Sequence, residues 1–365
     1  MRAAVCRAFG APLAIEELVL AAPGPGEVAV AVEACAVCHS DIAYADGAWG
    51  GALPAVYGHE AAGRVTAVGA GVRGFAAGDR VLVTLIRACG HCPACAGGAP
   101  TSCDHAWDAG PSPLRDAGGA AVAQGMKTAA FAEAVVVDAS QLVALPDDLP
   151  AELACLLACG VITGVGAVVN TARLRPGARV AVIGAGGVGL NAIQGAALAG
   201  AAQIVAVDLA PARLEAARAF GATDGVVAGP GAMAEAMATV RALTGGRGVD
   251  AAFVTVGAPA AIGGAAAALA AGGAVVVVGM PPSGTVAGYD PTTLAAMNQR
   301  ILGSRMGETV LARDIPWLID RWRAGRLKLA ELVSGRYPLE RLDEAFAATR
   351  SGAARRTVIV MREGA

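Results

Sequence analysis

The stretch RVAVIGAGGVGLNAIQGAALAG (residues 179–200) decides the fold of the central part of the chain. It passes from an apolar run through a glycine-rich turn into an Ala/Leu-rich segment, which is the pattern of a strand, a tight loop and a helix. Three more apolar runs follow, separated by helical or mixed stretches such as PARLEAARAFGA. Strands that alternate with helices predict an α/β fold with a doubly wound parallel sheet. The three runs are AAQIVAVD, GVDAAFVTVG and GGAVVVVGM.

The glycine loop of this stretch predicts a dinucleotide site. Gly184, Gly186 and Gly189 lie between the predicted strand and helix. Asp208, 19 residues after Gly189, ends the next strand. The glycines permit a tight turn and a close approach of the backbone to a pyrophosphate, which the helix N-terminus attracts. The Asp208 carboxylate can bind the adenosine ribose and would repel a 2′-phosphate, so we expect NAD rather than NADP. Further candidate cofactor contacts are Gly187, Val188, Val256 and Val278.

The flanking parts of the chain have a different character. Residues 1–150 contain short β-like runs broken by turns, such as EVAVAVEACAV and GDRVLVTLI. After residue 305 the chain becomes more charged and amphipathic, and it ends in the strand-like RTVIVM. The sequence therefore predicts a β-rich domain in addition to the parallel-sheet domain.

Composition and charge exclude several classes of function. The formal net charge of −2 gives no electrostatic case for binding nucleic acid or an anionic membrane. The N-terminus has no apolar core of signal-peptide length, and glycines interrupt the one long apolar run, residues 153–169. We therefore expect no membrane span and a cytoplasmic protein, in which disulfides are disfavoured.

Four cysteines lie close together in CGHCPACAGGAPTSC (89–103). Disulfides are disfavoured by the expected compartment, and a zinc ribbon for nucleic acid would carry Lys or Arg side chains, which this loop lacks. Four thiolates saturate a tetrahedral zinc ion and leave no open position for chemistry, so a structural zinc site fits best. Its ligands would be Cys89, Cys92, Cys95 and Cys103.

A second group of thiols and imidazoles is a candidate for an open, catalytic metal site. None of its pairs has a simple helical ligand spacing, so spacing alone does not distinguish these residues from ordinary buried ones. The members are Cys38 in AVCHSDIAY, His59 and Glu60 in YGHEAAG, and Cys159 in LLACGVITG.

Taken together, these motifs resemble those of the zinc-dependent medium-chain alcohol dehydrogenases, over nearly the whole chain. The resemblance implies that Cys38, His59 and Cys159, with Glu60 beside them, form the catalytic zinc site, and that the four-cysteine lobe holds the structural zinc. It also implies a GroES-like β-rich catalytic domain (1–160 and 306–365), a Rossmann NAD-binding domain (161–305), and an active site in the cleft between them.

The resemblance further assigns roles to residues around the zinc site. Ser40 matches the hydroxyl that relays the alcohol proton, His39 matches a pyrophosphate contact, and Asp41 matches the partner that orients the ring of His59. Arg213 matches a basic contact to the adenosine ribose, and Arg356 matches one to the phosphates. For both arginines, a solvated surface charge is the alternative.

One position departs from the family pattern. Many members carry a histidine three residues after the relay hydroxyl, where the proton leaves for solvent, and this chain has Ala43 there. The last relay step must then use water or another group, such as Tyr44.

The function implied is transfer of a hydride from an alcohol, acidified by zinc, to C4 of the nicotinamide of NAD. Trp49, Leu85 and Trp107 suit an apolar pocket, so medium-chain or aromatic alcohols are expected. The strand AVVVVGM followed by PPSG resembles the family's dimerisation edge and implies a homodimer.

Four alternatives are disfavoured by particular residues. Polyol dehydrogenases typically have a glutamate near the position of Cys159, and zinc-free quinone reductases lack the cysteine lobe. Glutathione-dependent formaldehyde dehydrogenase has an arginine four residues after the last lobe cysteine, where this chain has Trp107. A non-enzymatic NAD-binding structural or sensor protein has no need of an open zinc site.

Overall fold

The computed structural model describes residues 1–108, 110–352 and 354–361. The chain divides into two units. Unit 1 comprises Met1–Cys159, Val310–Asp320 and Leu329–Ala365, and unit 2 comprises Gly160–Thr309 and Arg321–Lys328.

Unit 1 begins with short strands, as expected from the alternating apolar residues of this region. In the first strand, Ala4 and Cys6 pack into one apolar cluster, and Ala3 and Val5 pack into another, because successive side chains of a strand point to opposite faces. The strands are β1 (Arg2–Cys6), β2 (Ala14–Glu17), β3 (Val19–Leu20), β4 (Glu27–Ala36), β5 (Ala55–Val56), β6 (Glu60–Val68), β7 (Arg80–Thr84), β8 (Leu114–Arg115), β9 (Ala121–Gln124), β10 (Ala134–Asp138) and β11 (Leu142–Ala144), with helices α1 (His39–Ala45), α2 (Pro93–Ala96) and α3 (Ala151–Ala154).

Unit 2 is built on a parallel sheet, which confirms the predicted fold class. All five neighbouring strand pairs run parallel, in the order β14-β13-β12-β15-β16-β17. The order reverses beside β12, and ligands of such sheets bind at the carboxyl ends of the strands next to this point. The elements are β12 (Arg179–Ile183), β13 (Gln203–Asp208), β14 (Asp224–Val227), β15 (Val249–Val254), β16 (Leu269–Val277) and β17 (Arg300–Gly303), with α4 (Gly160–Gly166), α5 (Gly187–Leu198), α6 (Pro211–Ala219), α7 (Met233–Leu243), α8 (Pro259–Gly264) and α9 (Pro291–Ala296).

The C-terminal part of the chain completes one of the two sheets of unit 1. One sheet has the order β2-β1-β5-β9-β8-β3, and the other has the order β11-β7-β6-β4-β19-β18, with β10 also paired to β4. The last strand lies antiparallel to β4, with Val358 opposite Ala36. The elements are α10 (Leu311–Arg323), β18 (Val333–Pro338), α11 (Leu342–Arg350) and β19 (Arg356–Val360).

Two details differ from the sequence-based expectations. AVVVVGM was expected to form the edge of a sheet. Its strand, β16, is instead second from the edge and pairs with the edge strand β17. We assigned Gly160 and residues 306–309 and 321–328 to the catalytic domain, but they lie in unit 2, where the backbone N–H of Lys328 donates to Oε1 of Gln194 at 2.7 Å.

No single helix within the described ranges is long and apolar enough to span a membrane. The long apolar run, residues 153–169, falls in two consecutive helices, Ala151–Ala158 and Gly160–Thr171. Only the two together are long enough to span a membrane, and they are bent by 49° to each other.

Candidate functional site

The four residues of the candidate catalytic metal site lie together in unit 1. Cys38 immediately precedes α1, His59 and Glu60 lie at the start of β6, and Cys159 follows a short 3-10 helix. One sulfur, ring nitrogen or carboxylate oxygen from each of them lies within 4.8 Å of the others. His59 and Glu60 are completely buried.

Asp41 fixes the orientation of the His59 ring. Its Oδ1 lies 2.9 Å from Nδ1 of His59 and accepts the backbone N–H of Gly58 at 3.0 Å, and its Oδ2 accepts the backbone N–H of Cys38 at 2.9 Å. A carboxylate at Nδ1 fixes the tautomer that presents the lone pair of Nε2. Nε2 is buried and makes no hydrogen bond in the structure. Such an orphaned nitrogen beside two sulfurs is what a metal ligand requires.

The contact between the two sulfurs shifts the pKa values of Cys38 and Cys159 in opposite directions. The Cys159 thiol donates to Cys38, and this contact, together with the nearby His59 and Arg356, holds the pKa of Cys38 well below its usual range. The same contact raises the pKa of Cys159, because one proton is shared between two adjacent sulfurs. Two thiolates and one imidazole fit zinc, and three protein ligands leave a fourth position open.

Glu60 forms a buried ion pair with Arg356. Nη2 of Arg356 donates to Oε1 of Glu60 at 2.5 Å, and the side chains are 6% and 0% exposed. Burial raises the pKa of Glu60 to about 7, although the guanidinium opposes this shift. Arg356 is therefore not a solvated surface charge, and its buried Nε has no hydrogen-bond partner in the structure.

The relay candidates lie on α1, directly after Cys38. His39 is exposed and Ser40 is half-buried. The side chain of Tyr44 packs edge-on against Trp49, with ring centroids 5.2 Å apart, and stacks on Tyr57 at 5.9 Å.

The four cysteines of the lobe also converge. Their sulfurs all lie within 4.8 Å of one another, and the backbone N–H groups of Cys89, Cys92 and Cys95 each donate to a sulfur of the group at 3.3–3.5 Å. The backbone N–H groups of Cys95 and Asp104 lower the pKa of Cys92 to about 6. Burial raises the pKa of Cys95 to about 12. The convergence of four sulfurs suits a closed tetrahedral zinc site.

The glycine loop lies at the carboxyl end of β12, before α5. Gly184 has a φ of +96°, and a Cβ at Gly189 would lie 1.8 Å from the carbonyl oxygen of Gly184, so the fold itself requires both glycines. A Cβ at Gly186 would meet nothing within 4 Å. The space beside Gly186 leaves room for a ligand to approach the backbone. Gly187 and Val188, also predicted contacts, begin α5.

The predicted ribose-binding residues lie at the end of β13. The Asp208 carboxylate is fixed by the backbone N–H groups of Ala185 and Ala210, at 2.8 and 3.0 Å. Nη1 of Arg213 lies 3.6 Å from Oδ2 of Asp208, and its side chain is 36% exposed. The Asp208 carboxylate is therefore held beside the glycine loop.

Val256 and Val278 follow β15 and β16. Cγ1 of Val256 lies next to the glycine loop, 2.5 Å from where a Cβ of Gly184 would be, and Val278 is buried. Sequence reasoning missed Thr255, whose hydroxyl donates to the carbonyl oxygens of Ile183 and Gly184 at 3.1 and 2.8 Å. Its position at the end of a predicted strand, before a candidate contact, was an available signal.

Sequence reasoning also missed a third group of potential metal ligands, formed by Cys89, His91 and His105. The available signal was that each histidine lies within two residues of a lobe cysteine.

Comparisons with known proteins identify both parts of the chain. Residues 24–147 match the family model "Alcohol dehydrogenase GroES-like domain", and residues 187–323 match "Zinc-binding dehydrogenase". The chain is 35% identical to geraniol dehydrogenase of Castellaniella defragrans, over 98% of this chain and 97% of that protein.

Solved structures agree with these matches. An alcohol dehydrogenase zinc-binding domain protein from Burkholderia ambifaria has a TM-score of 0.94 and 38% identity, covering 99% of both chains. Benzyl alcohol dehydrogenase from Acinetobacter calcoaceticus has a TM-score of 0.92 and 31% identity, also covering 99% of both chains.

Proposed function

Since the chain belongs to the zinc-dependent medium-chain alcohol dehydrogenase family, we propose that it oxidises primary or secondary alcohols with NAD, at a centre formed by Cys38, His59 and Cys159. The observation that carries this proposal is the His59 ring, which lies with one nitrogen within 4.8 Å of two sulfurs, is fixed through Nδ1 by Asp41, and has a buried Nε2 without a hydrogen-bond partner among the described residues. When bound there, zinc supplies a Lewis acid that acidifies an alcohol hydroxyl.

Side chains of the protein then carry the alcohol proton away from the substrate. Ser40, two residues after Cys38 on α1, accepts the alcohol proton and passes it towards the nicotinamide ribose. Because Ala43 has no imidazole, we propose that either water or the Tyr44 hydroxyl carries out the last proton transfer to solvent. Asp41 remains a positioning residue, since its carboxylate already contacts His59 and two backbone N–H groups.

The cofactor proposal rests on the glycine loop and Asp208. The open space at Gly186 and the N-terminus of α5 suit a pyrophosphate, and the Nε of Arg356 and the ring of His39 are further candidate phosphate contacts. Asp208, with Arg213 beside it, would bind the ribose hydroxyls. A 2′-phosphate against the Asp208 carboxylate is a like-charge contact, so kcat/KM with NAD should exceed that with NADP at least about tenfold.

Medium-chain or aromatic alcohols are the proposed substrates. The ring of Trp49 lies against Tyr44 on α1, and Leu85 packs against the apolar core of unit 1. Apolar surroundings favour longer alcohols, because each buried CH₂ contributes about 0.8 kcal/mol. The names of two similar proteins, geraniol and benzyl alcohol dehydrogenase, fit this class.

A long anionic substrate such as S-hydroxymethylglutathione is disfavoured. Trp107 is uncharged and 51% exposed. The nearby Arg115 is engaged, because its Nη1 donates to the carbonyl oxygens of Ser112 and Leu114 at 3.1 and 3.0 Å.

We also propose two zinc ions per chain, a homodimer and a cytoplasmic location. The four-cysteine cluster and the cluster around His59 support the metal count. No disulfide joins the nine cysteines, all of which lie within the described residues, and the cytoplasm keeps thiols reduced.

The test is an NAD-reduction screen over benzyl alcohol, 1-hexanol, ethanol, a polyol and S-hydroxymethylglutathione. Benzyl alcohol and 1-hexanol should give the highest kcat/KM, and Cys159→Ser should abolish turnover. Cys6→Ser is the matched control, because Cys6 is also buried but lies outside both clusters. A preference for the glutathione adduct, or full activity of Cys159→Ser, would overturn the proposal.

A further inference from the structure

Two of the chain's four histidines lie on the cysteine lobe, outside both proposed zinc centres. His91 and His105 are exposed, and their rings face each other, with centroids 5.8 Å apart and planes inclined by 27°. One ring nitrogen of each histidine and the Sγ of Cys89 all lie within 4.8 Å of one another. Three potential metal ligands therefore converge at the protein surface.

Each ring is already anchored as a metal-binding histidine usually is. Nδ1 of His91 lies 2.9 Å from the carbonyl oxygen of Cys89, and Nδ1 of His105 lies 2.8 Å from Oδ2 of Asp108. A carbonyl or carboxylate at Nδ1 places the proton there and leaves the lone pair of Nε2 for a metal. Both rings are exposed, so burial in the lobe does not account for their shared orientation.

Cys89 belongs to this group and to the four-cysteine cluster. A thiolate sulfur has more than one lone pair, so Cys89 can contact a second ion while it remains a ligand of the first. Cys89 is only half-buried, and its Sγ lies within 4.8 Å of a ring nitrogen of each histidine.

We propose that His91, His105 and Cys89 form an accessory, exchangeable site for Zn²⁺ on the lobe, which the family's two zinc centres do not include. Two imidazoles and a thiolate select zinc and similar transition ions over Mg²⁺ and Ca²⁺, which prefer oxygen ligands. Because the histidines are exposed, the site is open to solvent and its ion exchanges readily.

The test is titration of the zinc-replete full-length protein with Zn²⁺, and separately with Mg²⁺, followed by equilibrium dialysis and metal analysis. The protein should take up one zinc ion per chain beyond its own baseline, and no magnesium. The double variant His91→Ala/His105→Ala should keep its baseline metal and lose the additional ion. Asp108→Asn should weaken the additional ion about 10–100-fold, because it removes the carboxylate that anchors His105.

Asp147→Asn is the matched control, because it also removes one exposed carboxylate from unit 1 but lies outside these metal-ligand groups. Absence of an additional zinc ion in the wild type, or equal uptake by the double histidine variant, would overturn the proposal. Alcohol oxidation by the baseline enzyme is measured separately, so failure here leaves the proposed function untouched.

Discussion

Asp41 is the residue through which the metal site is oriented, because its carboxylate accepts from His59 and from the backbone of Gly58 and Cys38. Asp41→Asn would bring an amide N–H against one of these donors. Affinity for the zinc held by His59 should fall about 10–100-fold, as is usual when such a partner is lost. Competition with a chelator measures this.

Asp46→Asn is the control for this variant, because Asp46 caps the same helix and pairs only with the exposed Arg350 among the contacts described. Equal zinc affinity in Asp41→Asn and the wild type would show that the carboxylate does not orient the ligand.

The glycine loop allows a comparison between two residues of the same motif. Gly189→Ala should destabilise the fold, because its Cβ would lie 1.8 Å from a backbone oxygen. Gly186→Ala should leave the melting temperature nearly unchanged, since its Cβ would meet no protein atom, but it should raise the KM for NAD. Thermal unfolding and NAD kinetics of both variants test this, and an unchanged KM for Gly186→Ala would remove the pyrophosphate from this position.

Single residues also show where prediction from sequence stops. Asp41 was predicted to contact His59 because a family motif places it there, and the structure has that contact. The ion pair of Glu60 with Arg356 was not predicted, since 296 residues separate the partners and only the pairing of β19 with β4 brings the C-terminal strand into this sheet.

At the scale of elements, we expect the cysteine lobe to depend on the proposed structural zinc. Its apolar cluster contains only three buried residues, two of which are the proposed ligands Cys92 and Cys103. Cys103→Ser should therefore lower the zinc content from two ions to one and increase proteolysis within residues 89–103, because metal binding supplies the folding free energy of such a lobe.

Metal analysis and limited proteolysis of Cys103→Ser measure these effects, with Cys6→Ser as the control cysteine. An unchanged zinc content would contradict a structural zinc in the lobe.

The elements themselves were largely predictable, and the exception has a physical reason. Long apolar runs such as that of β13 are read easily as buried parallel strands. The edge strand β17 has four residues, RILG, all of them at least partly exposed, so it gives no such run. As a consequence, β16 was taken for the edge.

At the scale of the whole molecule, the segment after β16 is the proposed dimer contact. Met280, Val286 and Tyr289 are 67%, 85% and 53% exposed. Large exposed apolar side chains close together mark interaction surfaces. Val286→Asp should convert a dimer of 35.8 kDa chains into a monomer, as measured by sedimentation.

Val227→Asp is the matched control, because Val227 is 53% exposed on the opposite edge strand of the same sheet. Dimers that persist in Val286→Asp, or a wild type that is monomeric, would place the contact elsewhere or remove it.

The two-part fold and its family were predictable because the motifs extend over nearly the whole chain. The substrate was not predictable to the same degree. Substrate choice depends on how side chains such as Trp49 and Tyr44 pack against each other, and a single sequence does not contain that information.

The most direct test of the central claim starts from enzyme dialysed to two zinc ions per chain, without the exchangeable accessory ion, and follows zinc content and alcohol oxidation together during chelation. The Cys38–His59–Cys159 centre has an open coordination position, whereas four cysteines close the lobe site, so the catalytic zinc should leave first. Activity with benzyl alcohol and NAD should fall in proportion to the first ion lost and return when Zn²⁺ is added. Activity that persists after the first ion has left would contradict the account.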